Sequence, residues 1–203
     1  MKKNKISKNW INRQRKDVYV RKSKIEGYRS RAVYKLEEIN KKFKIFHNGG
    51  SVLDLGAAPG SWTQYISKNY KNIRLVSIDL KKFDEIENTI QITGDFTENI
   101  YKQKILNFFK GKIDIIISDM AVNTTGNKNL DSIQTSELCL DAMRFSKQVL
   151  KKNGIFVSKI FVGSTFNEII NESKKIFKKN KIFKPKASRK ESRESFIVCS
   201  MLH

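Results

Sequence analysis

The chain has 203 residues, 39% hydrophobic and 30% charged, which suits one domain with a full core. Its formal net charge is +21, and it holds only two histidines and two cysteines. That composition argues against a His-based metal site and a Ser-His-Asp triad, indicates no disulfide framework, and points to a polyanionic partner in a reducing compartment.

The charge is segregated. Residues 1–24 hold ten Lys/Arg against one acid, Asp17, and residues 174–193 again hold ten against one, Glu191. Compositional bias toward Lys, Asn and Ile explains a Lys-rich surface but not two basic ends around a near-neutral middle. The pattern reads as an electrostatic footprint for nucleic acid. A membrane surface is disfavoured, because neither basic segment carries a wide apolar face and no apolar run could span a bilayer. The start, Met1-Lys-Lys-Asn-Lys-Ile, lacks the apolar stretch of a secretory signal.

Residues 1–24 read as a basic arm with scattered aromatics, Trp10 and Tyr19, that orders on packing or on binding RNA. The rest, 25–203, reads as one domain. Arg29 to Phe43 has helical periodicity, with Ala32, Leu36, Ile39 and Phe43 on one face and Ser30 as N-cap. Asn48-Gly-Gly50 closes that unit. Val52 to Leu55 is a short apolar run typical of a buried strand, and Gly56-Ala-Ala-Pro-Gly60 is a tight turn. A helix with Trp62, Tyr65 and Ile66 on one face follows. Strand, Gly-rich turn and helix form the crevice of a nucleotide-binding α/β sheet. The glycines at Gly56 and Gly60 alone do not make the G-x-G-x-x-G of a dinucleotide site, and Asp54 would repel a pyrophosphate. A carboxylate there suits a cationic ligand with an amino-acid moiety, such as S-adenosylmethionine.

Further strands are predicted over Arg74–Asp79, Thr89–Asp95, Ile113–Asp119 and Gly154–Lys159. Helices are predicted over 97–110, 133–151 and 165–179, with a polar loop at 120–130 where substrate loops belong. A final strand pair, 182–185 and 194–201, flanks a basic loop. Alternating strands and helices predict an α/β, Rossmann-like, mostly parallel doubly wound sheet with an antiparallel C-terminal strand. Asp54, Asp79, Asp95 and Asp119 lie at or near the carboxyl ends of four strands and Lys159 ends a fifth, the edge where such sheets bind ligands. Asp79 stands about twenty residues past the glycine turn, where a ribose-binding carboxylate is expected.

These pieces resemble the RrmJ/FtsJ-type ribosomal RNA 2′-O-methyltransferases from about Asp17 to Ser200. The likeness rests on an ordered set: Gly27-Tyr-Arg-Ser-Arg-Ala-Val-Tyr-Lys-Leu36, Val52 through Trp62, Gly94-Asp-Phe96, Ser118-Asp-Met-Ala121, Ser158-Lys-Ile-Phe161 and Ser188-Arg-Lys-Glu-Ser-Arg-Glu194. The resemblance implies a catalytic Lys-Asp-Lys-Glu set on Lys35, Asp119, Lys159 and Glu194. It implies S-adenosylmethionine contacts from Gly56, Pro59, Gly60, Trp62, Asp79, Asp95 and Asp119, beside the Asp54 read from the turn, and no metal. Val122 stands where the family commonly has proline, and Ser61 where it has glycine.

The implied reaction is methylation of a ribose 2′-OH, which excludes DNA. The implied target is a uridine of large-subunit ribosomal RNA, in the cytoplasm or in an organelle with its own ribosomes; a monomer is the default expectation, since no extra apolar face is evident. A transfer-RNA methyltransferase, a non-catalytic RNA-binding assembly factor and an NAD(P)-dependent oxidoreductase are the competing classes. On this reading Lys35 and Lys159 lower each other's pKa, Lys159 acts as base oriented by Asp119, and Lys35 and Glu194 orient the ribose and the ammonium.

Overall fold

The computed structural model describes residues 14–122 and 126–203. Residues 1–13 of the basic arm, with Trp10, lie outside the described residues, as does Asn123 in the polar loop. In chain order the elements are α1 (Val18–Ile25), α2 (Val33–Phe43), β1 (Ser51–Leu55), α3 (Ser61–Asn69), β2 (Arg74–Asp79), β3 (Thr89–Thr93), α4 (Asn99–Phe109), β4 (Ile113–Ser118), α5 (Lys128–Val149), β5 (Leu150–Phe161), α6 (Phe166–Ile176), β6 (Phe177–Phe183) and β7 (Glu194–Leu202).

One seven-stranded sheet runs β3-β2-β1-β4-β5-β7-β6. The five strands from β3 to β5 are parallel, and β7 inserts antiparallel between β5 and β6. The expected architecture is therefore the observed one. Strand order reverses between β1 and β4, so their carboxyl ends open a crevice there.

Alternate residues of each strand face opposite sides. Leu53 and Leu55 enter a core with Ile105, Phe145 and Ile169 of α4, α5 and α6. Val52 enters a second core with Leu36, Ile39, Trp62 and Ile66 of α2 and α3. Asp54 shares the parity of Val52, so its carboxylate points into that second layer.

Several element boundaries differ from the sequence reading, among them β5, which runs Leu150–Phe161 and not only 154–159, and three others have local causes. Helix α2 begins at Val33, after a turn over residues 29–32. Side chains hold that turn: Ser30 Oγ accepts from Ala32 N at 3.2 Å, and the Arg29 guanidinium donates to the carbonyls of Pro59, Asp84 and Glu85. Such bonds compete with a helical first turn. Ser30 is thus not the N-cap, and its hydroxyl also meets Ser61 Oγ at 2.7 Å. Helix α6 stops at Ile176 and β6 begins at Phe177, because Phe177 is buried and stacks on Phe156 with centroids 6.0 Å apart. The intervening lysines imitate a polar helix face, and the period-2 signal of a strand is weak beside them. Helix α5 starts at Lys128, where Asn127 Oδ1 accepts from Asn129 N and Leu130 N.

Helix α1 belongs to the expected arm. Asp17 caps it by accepting from Tyr19 N and Val20 N, and the same carboxylate pairs with Arg31 and, at 3.8 Å, with Arg189. Tyr19 also packs on Tyr34, centroids 5.4 Å apart.

Candidate active site

Gly56 sits at φ +74°, and a Cβ there would come within 2.7–2.9 Å of Met120. The chain ends of β1 and β4 approach so closely that a side chain is excluded. Asp119 N donates to Leu55 O at 3.1 Å and locks the two ends together. Beside this contact lies a cavity of about 500 Å³ lined by Gly56, Asp79, Asp95 and Asp119, with Phe96, Met120 and Leu138 among its apolar walls. That volume is in the range of small-molecule sites, roughly 300–1,000 Å³.

Of the expected cofactor residues, Gly56, Asp79, Asp95 and Asp119 are on the cavity wall. Asp79 Oδ2 accepts from Ala58 N at 2.9 Å and Oδ1 from Lys81 N at 2.8 Å, so the carboxylate is rigidly aimed. Asp95 Oδ1 accepts from both Thr97 N and Thr97 Oγ1.

Asp54, Pro59, Gly60 and Trp62 stand off the wall. Asp54 is fully buried and accepts from Thr63 Oγ1 at 2.7 Å. Burial pushes its carboxyl up to about 7, so it is no fixed anion for a cation to meet. Gly60 lies at φ +99° against Arg29, Phe83 and Ile86, and the Pro59 carbonyl accepts from Arg29. Trp62 donates to Ala32 O at 2.8 Å and packs on Phe196. These residues shape the turn that carries Gly56 and Ala58.

The four charged residues converge, although they come from α2, from the end of β4, from β5 and from β7. Lys35 Nζ donates to Glu194 Oε2 at 2.7 Å and lies 3.9 Å from Asp119 Oδ2. Lys159 Nζ lies 3.0 Å from Asp119 Oδ1 and donates to the Asp119 main-chain oxygen at 2.5 Å. Asp119 thus stands between two ammonium groups. Burial raises the pKa of its carboxyl, but Lys159 and Lys35 outweigh that and hold it below the ordinary value. Burial lowers the pKa of Lys35, yet Asp119 and Glu194 together hold that ammonium above the ordinary lysine value. The expected mutual lowering therefore fails for Lys35: two carboxylates surround it, and it is a permanent cation near neutral pH.

A second cavity, about 280 Å³, is lined by Lys35, Glu194, Arg31, Arg189, Ser30 and Ser192 among others. Lys35 lines the smaller cavity and Asp119 the larger, so their 3.9 Å contact links the two walls. Sequence reasoning missed Arg31 and Arg189 as cavity residues, although both lie in quoted motifs. Their joint placement depends on Asp17, fourteen positions before Arg31. Among the described residues no cluster of His, Cys, Asp and Glu is placed to hold a metal ion.

A parallel sheet with a switch-point crevice and an antiparallel β7 between β5 and β6, bearing a convergent Lys-Asp-Lys-Glu set, defines a Rossmann-like methyltransferase. The FtsJ-like methyltransferase model matches residues 28–201, and the chain belongs to that family. It is 64% identical over 202 residues, the full length of both chains, to a ribosomal RNA large subunit methyltransferase E from Pelagibacter ubique. A Rickettsia bellii protein of the same name is 47% identical, over 95% of this chain and 87% of that one. A Plasmodium falciparum protein provisionally named a ribosomal RNA methyltransferase superposes with a TM-score of 0.77 at 35% identity, covering 86% of this chain and 98% of that one.

Proposed function

We propose that this enzyme transfers the methyl group of S-adenosylmethionine to the 2′-oxygen of a uridine ribose in large-subunit ribosomal RNA, acting as a cytoplasmic monomer. The observation that carries this reading is the convergence of Lys35, Asp119, Lys159 and Glu194, with Asp119 on the wall of one cavity and Lys35 and Glu194 on the wall of another. The relatives named above support the RNA class.

The larger cavity fits the cofactor. Asp119 Oδ1 is occupied by Lys159 Nζ at 3.0 Å, so donors of the cofactor fall to the other carboxylates of that wall. Asp79 and Asp95 are carboxylates suited to ribose hydroxyls, and Phe96, Met120 and Leu138 supply apolar walls for a base. S-adenosylmethionine, when bound, supplies a methyl already activated by its sulfonium.

The remaining work is positioning and proton removal. Lys35, held as an ammonium, donates to a ribose oxygen and fixes the attacking hydroxyl. Lys159 first releases a proton to solvent and then, as the neutral amine, accepts the 2′-OH proton as the O–CH₃ bond forms and the S–CH₃ bond breaks. Asp119 then holds the resulting ammonium through Oδ1 and its main-chain oxygen. Glu194 keeps Lys35 in place. Positioning of this kind is worth up to roughly 7–11 kcal/mol in favourable cases.

Arg31 and Arg189 line the smaller cavity, where backbone phosphate would lie beside the target ribose. The lysines of 174–193 extend that charge. The test is transfer of labelled methyl to large subunits lacking the modification, beside free ribosomal RNA and transfer RNA. Label on the subunit supports the reading, and label on transfer RNA alone overturns the target.

A further inference from the structure

The two oxygens of Glu194 have different partners. Oε2 accepts from Lys35 Nζ, and Oε1 accepts from Ser188 Oγ, each at 2.7 Å. Ser188 is 4% exposed and Glu194 9% exposed, so little water competes for either bond. Ser188 itself sits in a basic loop that would have no reason to hold still. Helix α2 holds it. Glu38 accepts from two consecutive amides of the loop, Lys186 N at 2.6 Å and Ala187 N at 2.9 Å. Arg31, just before the helix, donates to Ala187 O. Ser188 N closes the turn on Pro185 O at 3.0 Å.

Lys35 and Glu38 are three residues apart, neighbours on one helix. The contacts therefore form a closed circuit: α2 presents Lys35 to one oxygen of Glu194, and through Glu38 it grips the loop whose Ser188 takes the other. We infer that Ser188, seated by Glu38, is a positioning residue that fixes the rotation of the Glu194 carboxylate and hence the place of the Lys35 ammonium. The inference rests on the methyl-transfer reading for its kinetic consequence but not for its geometry. A free carboxylate would leave Oε1 buried without a donor and would turn to find one, drawing Lys35 away from Asp119.

The experiment pairs Ser188→Ala with Ser188→Thr, which keeps a hydroxyl on the same carbon. Methyl transfer to large subunits is followed at saturating cofactor. Ser188→Ala is expected to lower kcat by about tenfold to a hundredfold, the scale of a small misplacement in a site. KM for S-adenosylmethionine and the melting temperature should stay close to wild type. Ser188→Thr should recover kcat to within about threefold.

A second readout needs no substrate. The side-chain resonances of Lys35 are titrated by NMR in both variants, and in Ser188→Ala its pKa should fall relative to wild type as Glu194 turns away. Wild-type kcat in Ser188→Ala, or an unmoved Lys35 titration, overturns the inference. So does an equal loss in both variants accompanied by a lower melting temperature, which would make Ser188 merely structural. Absence of methyl transfer by the wild type on any RNA would overturn the methyl-transfer reading instead and leave the Lys35 titration to decide the brace.

Discussion

Lys35 and Glu194 lie 159 positions apart in sequence and 2.7 Å apart in space. One belongs to the helix that precedes the first strand, the other opens the last. The contact explains why β7 must insert between β5 and β6: Glu194 pairs with Phe161, and Lys159 with Phe196, so the two strands deliver Lys159 and Glu194 to the same edge. The fold closes this candidate site with its last strand, which makes the site sensitive to changes remote from it in sequence.

Lys159→Ala should lower kcat by at least about a hundredfold, the low end of what a general base supplies. Cofactor affinity should change by less than about threefold, since Lys159 faces Asp119 and not the apolar walls. Single-turnover methylation together with calorimetric binding of S-adenosylmethionine separates the two effects.

Lys35→Met removes a cation that two carboxylates surround. Asp119 and Glu194 would then face each other with less compensation, at a cost in stability as well as rate. Breaking such a buried set costs about 3–5 kcal/mol. Urea unfolding should show a lower midpoint for Lys35→Met than for Lys35→Arg, and equal midpoints would contradict the charge account.

Asp54 sets a pH dependence. Its carboxyl is raised from 3.8 to about 7 by burial, opposed by the Thr63 hydrogen bond. Between those values the folded chain holds a proton that the unfolded chain has lost, so stability falls as pH rises from about 4 to about 7 and the full penalty applies above. The shift corresponds to an upper limit of roughly 4 kcal/mol. Asp54→Asn keeps an acceptor for Thr63 and removes the charge. Its stability relative to wild type should therefore increase between pH 5 and pH 8, read by urea unfolding at each pH.

Gly56→Ala combines a left-handed φ with a Cβ pressed on Met120. The strain alone is of order 1–3 kcal/mol, and the clash adds to it. The melting temperature should fall by at least about 5 °C, and cofactor binding should weaken with it, because the strand ends that form the cavity wall must part.

Exchange of Lys178, Lys179 and Lys181, all exposed on β6, for glutamine tests the basic edge. If each meets a phosphate, the slope of log affinity for the subunit against log salt should become shallower by about 2–3. An unchanged slope with increased aggregation would mean that these lysines only guard a sheet edge.

Much of this was legible in the chain. Apolar runs with Asp or Lys at or near their ends mark five strands and their ligand edge: four are buried parallel strands with a strong local signal, and the edge strand β3 shows its period through Ile90 and Ile92. The β6 strand lies at Phe177–Phe183 and not at the predicted 182–185: with Phe177 and Phe183 at its ends and lysines between them, it carries too few apolar residues to show a period. Asp54 was legible as unusual but not as buried, since its side depends on the strand's register against α3. Arg31, Arg189 and Ser188 owe their placement to Asp17 and Glu38, through long-range contacts that no local pattern records. The Lys35 pKa likewise follows from which charges surround it in space.

The most direct measurement of the central claim is the chemistry of the product. Purified large subunits lacking the modification are incubated with labelled S-adenosylmethionine and either wild type or Lys159→Ala, and the RNA is hydrolysed in alkali. The account predicts label in a single alkali-resistant dinucleotide with wild type and at least about a hundredfold less with the variant. Label released in alkali-labile mononucleotides would place the methyl on a base and contradict the assignment of the four charged residues to a ribose 2′-hydroxyl.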